Sequence, residues 1–238
     1  MRDEEKPAES EDPGMEMVCR FAGNLAHELN NLITPVVVCG QMLTDNPEPD
    51  DVAFCGEQLE DAGRRFQQFT KKLQLIGSRR QSGEFSRPFE ILPAIIERAS
   101  STYESSVVFR ELYRNKMDIA AASIALDHDQ ATFLIEELIR NAAQAMPKGG
   151  EITIDLARLA SPDRLVLTVT DQGEGMSPEI LARMFEPFFS TRSQARDRGL
   201  GLTLVYGMVR RAGGSIRCQS TPGAGTNMEL SFPASYVP

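Results

Sequence analysis

Tryptophan is absent, histidine occurs only twice, and the four cysteines, Cys19, Cys39, Cys55 and Cys218, form no CxxC pair. No histidine or cysteine stands at metal-ligand spacing from another, which excludes a zinc-type structural centre and leaves the cysteines as reduced thiols used as small apolar residues. Long apolar runs are missing as well. The longest, around Leu32 to Gly40, is far too short to span a bilayer. Positive charge is also in deficit: the formal net charge is -9, so the chain has no overall basic character with which to hold nucleic acid or an anionic membrane. The segment Met1 to Gly14 is acidic and contains proline, whereas a secretory signal is basic and then apolar, and a cytoplasmic chain is expected. A hydrophobic content of 41% over 238 residues is enough for one large domain or two modest ones.

Residues 1–14 read as a disordered tail, and residues 15–78 as a helical hairpin. In its first helix Val18, Phe21, Leu25, Leu29, Leu32, Val36, Cys39 and Leu43 recur at steps of three and four. At 100° per residue they lie within about 40° of one line. Asp45 to Asp50, with Pro47 and Pro49, breaks the pattern. The second helix carries a heptad seam of Val52, Cys55, Leu59, Ala62, Phe66, Phe69, Leu73 and Ile76. One hairpin has too little depth to bury both stripes, so two copies are expected to pair into a four-helix bundle, making the protein a homodimer.

Residues 79–88 read as a linker, and 89–238 as a second domain. Helices are expected over 91–100, 130–146 and 201–212. Strands are expected over 151–159, 164–170, 215–220 and 227–232, the first two from alternating Ile152, Ile154, Leu156 and Leu165, Leu167, Val169. Segregated strands and helices predict an α+β sandwich, one sheet with helices on one face.

The chemistry-bearing residues fall in blocks. His27 lies about 200° from the apolar line of the first helix and points to solvent, with Glu28 beside it and Asn31 one turn later. A carboxylate can hold one imidazole nitrogen protonated and free the other to attack phosphorus. In the second domain, Glu137 and Asn141 share one helix face and offer oxygen ligands of the kind Mg²⁺ takes. Asp171-Gln172-Gly173-Glu174-Gly175 follows a strand directly, and its glycines allow a flat ligand to approach the backbone. Phe185-Glu186-Pro187-Phe188-Phe189 comes next. Gly199-Leu200-Gly201 then opens a helix, where free N–H groups favour phosphate. Each block alone has a plain structural explanation: a solvated helix face, a hairpin turn, core aromatics, a helix cap. Their order and spacing together do not.

That combination resembles the catalytic core of sensor histidine kinases: a dimerisation and histidine-phosphotransfer hairpin, then an ATP-binding domain of the type shared with gyrase and heat-shock ATPases. Phe21 to Asn31 resembles the phosphoacceptor box, Glu137 to Asn141 the asparagine box, and Asp171 to Gly175 and Gly199 to Gly201 the two glycine boxes. Gly223 to Thr226 resembles the family's last turn, where a threonine lies near adenine. The resemblance implies ATP and Mg²⁺ as cofactors, His27 as phosphoacceptor and Glu28 as its assisting base. It also implies Asn31 as orienter of water in a phosphatase reaction, Asn141 as Mg²⁺ ligand, Asp171 as partner of the adenine amine and Arg192 near the phosphates. The partner it implies is a response-regulator receiver domain.

The chain departs from the family pattern twice. Glu137 stands where the family usually has asparagine, which leaves it as metal ligand, base, or both. The lid Ser193 to Arg198 is poor in glycine, so Arg196 and Arg198 either supply charge to the phosphates or the lid holds ATP weakly. A second reading follows from that lid: a histidine phosphotransfer or scaffold protein with a degenerate ATP-binding domain.

Overall fold

The computed structural model describes residues 13–45, 47–77, 85–103, 106–114, 119–160, 163–191 and 199–236. The chain divides into two compact units, Met1–Lys71 and Lys72–Pro238.

The first unit is built from helix α1 (Pro13–Thr44) and most of α2 (Pro49–Gly77). Pro49 sits at the first position of α2, where its missing N–H costs nothing, and the Glu48 N–H donates to Asp51 Oδ2 at 3.1 Å. Leu32 and Cys39 on α1, and Cys55, Ala62 and Phe69 on α2, are buried, and each set repeats every seven residues. The Cys55 thiol donates to the Cys39 carbonyl at 3.8 Å, which places these two positions side by side in the antiparallel pair. Of the other seam residues, Leu29 is 41%, Val36 38%, Val52 50% and Phe66 49% exposed, while Leu43, Leu59 and Leu73 are half-buried. A single hairpin thus buries part of each seam and leaves other seam residues exposed. α1 also runs through Pro35, a helix-interior proline the periodicity did not flag. Its ring removes the bond that would reach the carbonyl of Asn31.

The second unit contains α3 (Pro88–Tyr103), β1 (Val107–Arg114), β2 (Ala122–Ser123), α4 (His128–Gln144), β3 (Gly150–Ala160), β4 (Asp163–Asp171), α5 (Pro178–Arg183), α6 (Gly201–Arg211), β5 (Ser215–Thr221), β6 (Gly225–Pro233) and β7 (Ser235–Tyr236). Five strands form one sheet in the order β1-β3-β4-β6-β5, parallel at β1–β3 and antiparallel elsewhere. α3, α4 and α6 supply the helical layer. Leu92, Leu134, Ile135, Ile139, Val205 and Met208 meet Ile152, Ile154, Leu156, Leu165, Leu230 and Phe232 in one core. The outward face of β1 and β3 is laced by ion pairs, Arg110–Glu151 at 3.0 Å and Arg114–Asp155 at 2.7 Å.

The α/β domain and the helical region preceding it agree with the expected fold class. Four elements were not anticipated: β1, α5 and the paired short strands β2 and β7. Within the segment read as a linker, Ser86 exchanges backbone bonds of 3.1 and 2.9 Å with Ile124, and Pro88 opens α3. Among the described residues, no helix is long and apolar enough to cross a membrane.

Candidate nucleotide site

α4 begins with a capping box: Asp127 Oδ1 accepts the Gln130 N–H at 2.7 Å, and Gln130 Oε1 accepts the Asp127 N–H at 3.3 Å. The helix so anchored buries Leu134, Leu138 and Ala142. Near its C-terminal end Asn141 forms part of the wall of a cavity of about 630 Å³ between α4, the sheet, α5 and the start of α6.

Asp171 ends β4 on another wall of that cavity and is only 7% exposed. Its Oδ1 accepts the Gly173 N–H at 2.8 Å and the Thr226 N–H at 3.2 Å, leaving Oδ2 as the oxygen open to a ligand amine. Burial pushes its carboxyl above the ordinary aspartate value, and the two backbone donors oppose that shift. Gly173 packs so tightly that a Cβ there would lie 2.6 Å from the Ala145 Cβ, at the end of α4. Gly175, with φ +64°, backs onto the Thr221 carbonyl. Ser220 Oγ accepts the Met176 N–H at 2.8 Å and donates to the Gly225 carbonyl at 2.9 Å. The loop after β4 is thereby fixed to both α4 and the β5–β6 turn.

Apolar walls come from Leu138, Val169, Met176, Ile180, Met184 and Met228. They line a slot suited to a flat base, with Asp171 as its polar anchor. The aromatic segment supports the other end. Phe185 stacks on Tyr206 of α6 with ring centroids 5.1 Å apart, Arg183 lies 4.3 Å over the Phe189 ring, and the Phe188 N–H donates to the Gly199 carbonyl at 3.0 Å. Phe188 holds φ +63°, a left-handed conformation rare for a residue with a side chain. The N-terminus of α6 has no side-chain cap, and Gly199 and Gly201 face the cavity.

The cavity thus gathers Asn141, Asp171, Gly175, Gly199, Gly201 and Thr226 from the predicted site residues. Glu137 is not in its wall. The residue is 5% exposed, and its side chain accepts a hydrogen bond from Arg140 Nη2 and lies where a Cβ on Gly201 would have to go. Arg140 does line the cavity and was not among the predicted residues. The signal for it was adjacency to Asn141, but helix periodicity does not tell which way a long side chain bends. Arg192, Arg196 and Arg198 lie outside the described residues. In the first unit His27 is exposed, while Glu28 and Asn31 are half-buried.

The donor set fits Mg²⁺ in a limited way. Asn141 provides an amide at the cavity wall whose Nδ2 is buried without a hydrogen-bond partner among the described residues. Among the described residues no group of three or more His, Cys, Asp or Glu side chains could hold a metal. A Mg²⁺ ion held by one amide oxygen, phosphates and water is compatible with this. An all-protein cage is not.

Comparison with known proteins supplies the lineage. Residues 126–236 match the family of histidine kinase-, DNA gyrase B-, and HSP90-like ATPases. Over 92% of the chain the sequence is 28% identical to sensor kinase CckA of Brucella abortus, covering 24% of that relative. Over 90% it is 27% identical to sensor histidine kinase WalK of Bacillus subtilis, covering 36%. The chain therefore spans well under half the length of these curated relatives. Among solved structures, the mycobacterial sensor histidine kinase MprB matches with a TM-score of 0.55 at 25% identity, over 65% of this chain and 99% of that one. Full-length ShkA in complex with AMPPNP shares the fold, with a TM-score of 0.64 at 16% identity over 92% of this chain and 46% of that one. Residues 126–236 are thus similar to the histidine kinase-, DNA gyrase B- and HSP90-like ATPases, and the relatives that align over most of the chain are sensor kinases.

Proposed function

We propose that this chain binds Mg-ATP in the cavity beside Asp171, transfers the γ-phosphoryl group to His27, and passes it to an aspartate on a response-regulator receiver domain. The observation that carries this reading is the anchoring of Asp171: one carboxylate oxygen is held by two backbone donors, and the other is left for an exocyclic amine at the end of an apolar slot. Asn141 is the residue that would hold Mg²⁺, whose contribution is to screen phosphate charge. The α6 N-terminus and its glycines bind the phosphates through backbone N–H groups.

On the first unit, the exposed His27 imidazole attacks phosphorus through one ring nitrogen. Glu28, one residue on, takes the proton from the other as the γ-phosphate bond to ADP breaks. Asn31 orients water for the reverse, phosphatase reaction. The exposed apolar side chains of Leu29, Val36, Val52 and Phe66 support dimerisation through the hairpin, and the protein is read as acting in the cytoplasm.

The deciding experiment is incubation with ATP labelled at the γ-phosphate. Acid-labile label on the parent protein, lost in His27→Gln, is the expected result. Acid-stable label on serine or threonine would sink the proposal. The scaffold reading stays distinct: it predicts no ATP binding at all in a calorimetric titration with Mg²⁺.

A further inference from the structure

Charge in the cavity wall is sparse. Asp171 and Glu174 are its acidic residues, and Arg140 is the one basic residue among the described lining residues. A nucleotide triphosphate brings several negative charges to such a site, and backbone N–H groups at a helix end answer only part of them. The position of Arg140 is well defined. Its Nη2 donates to Glu137 Oε2, and the same nitrogen would lie 3.2 Å from a Cβ on Gly201. The guanidinium therefore sits against the first residue of α6, where the helix leaves its N–H groups without a side-chain cap. Glu137 is buried, so its carboxylate holds the guanidinium from below and is not an independent ligand in the wall. The Tyr103 phenol is raised by burial, an effect that the Arg140 charge opposes and the Glu137 charge reinforces. Arg140 lines the cavity with a guanidinium, whose planar fork of five N–H donors matches the geometry of phosphate oxygens.

Resting on the nucleotide reading above, we propose that Arg140, oriented by Glu137 against the start of α6, is a phosphate-recognising cation of this site. It binds the nucleotide's phosphate chain together with the α6 N-terminus. Glu137 acts as a positioning residue for Arg140, a role different from metal ligand or base. Binding by this pair needs no contribution from the lid residues 193–198, so a glycine-poor lid is compatible with substantial ATP affinity.

The test is a calorimetric series with adenosine, ADP and ATP, in EDTA and again with Mg²⁺, on the full chain. In the parent, affinity rises with the number of phosphates. Arg140→Ala is expected to lose at least about ten-fold in affinity for ATP and ADP while adenosine affinity stays within about two-fold. Arg140→Lys should fall between the two. Because Arg140→Ala strands a buried carboxylate, the double variant Arg140→Ala/Glu137→Gln is measured beside it and should show the same phosphate-dependent loss. Glu137→Gln alone should weaken ATP more than adenosine, since it loosens the guanidinium. Unchanged ATP affinity in both arginine variants, or an equal loss for all three ligands, overturns the assignment. If the parent binds neither adenosine nor ATP, the nucleotide reading itself fails, an outcome separable from failure of Arg140 alone.

Discussion

Asp171 Oδ1 accepts the backbone N–H of Thr226 at 3.2 Å, joining two residues 55 positions apart at the paired ends of β4 and β6. The bond holds the carboxylate still in a setting that disfavours its charge. Asp171→Asn keeps an oxygen able to accept both backbone donors, so the fold is retained while the charged acceptor for a ligand amine is lost. We expect nucleotide affinity to fall by at least about ten-fold, read by calorimetry.

The same substitution carries a pH prediction. The folded-state pKa of Asp171 is raised, chiefly by burial. Its ionisation therefore costs the folded state more than the unfolded one, and the stability conferred by the neutral form is lost as pH rises through the folded value. Apo Asp171→Asn should match or exceed the parent in thermal stability at neutral pH. The difference should disappear as pH falls below about 4, where the parent carboxyl is neutral in both states. A parent that stays more stable at pH 7 would contradict the assigned desolvation.

Gly225 has φ +85°, and a Cβ there would collide with the Asp171 carbonyl. Gly225→Ala should cost about 1–3 kcal/mol of stability by denaturant unfolding. It should also lower nucleotide affinity, because the same displacement moves Thr226.

Leu29 and Phe66 are exposed on a single hairpin although both lie on the predicted seams. The double variant Leu29→Glu/Phe66→Glu should leave helix content unchanged and convert a dimer to a monomer in light scattering. Persistence of the dimer would place its interface elsewhere.

Asn31 lies one turn after His27 and is half-buried, with its Nδ2 lacking a hydrogen-bond partner among the described residues. Asn31→Ala should retain self-labelling and slow dephosphorylation of a labelled receiver domain. Equal dephosphorylation rates in variant and parent would reject the role.

Several elements were legible because their information is local. The seven-residue repeat of Cys55, Ala62 and Phe69 announces a packed helix, and the alternation of Ile152, Ile154 and Leu156 announces a strand with one covered face. β1 escaped because Arg110, Glu111 and Arg114 interrupt the alternation of an edge strand whose pairing with β3 is parallel and distant in sequence. α5 escaped because six residues are too few to display a helical period.

The sequence by itself determined the order of the boxes, the glycines where backbone must approach a neighbour, and the placement of His27 opposite an apolar stripe. All of these follow from spacing along a single element. Only the tertiary structure decided that Glu137 is buried against Gly201, that Arg140 faces the cavity, and that Met176, Ile180 and Met184 form its apolar wall. Those outcomes depend on how α4, α5 and α6 pack together. Spacing within one helix specifies the direction of a side chain's Cβ, but the neighbouring elements decide which surface its far end meets.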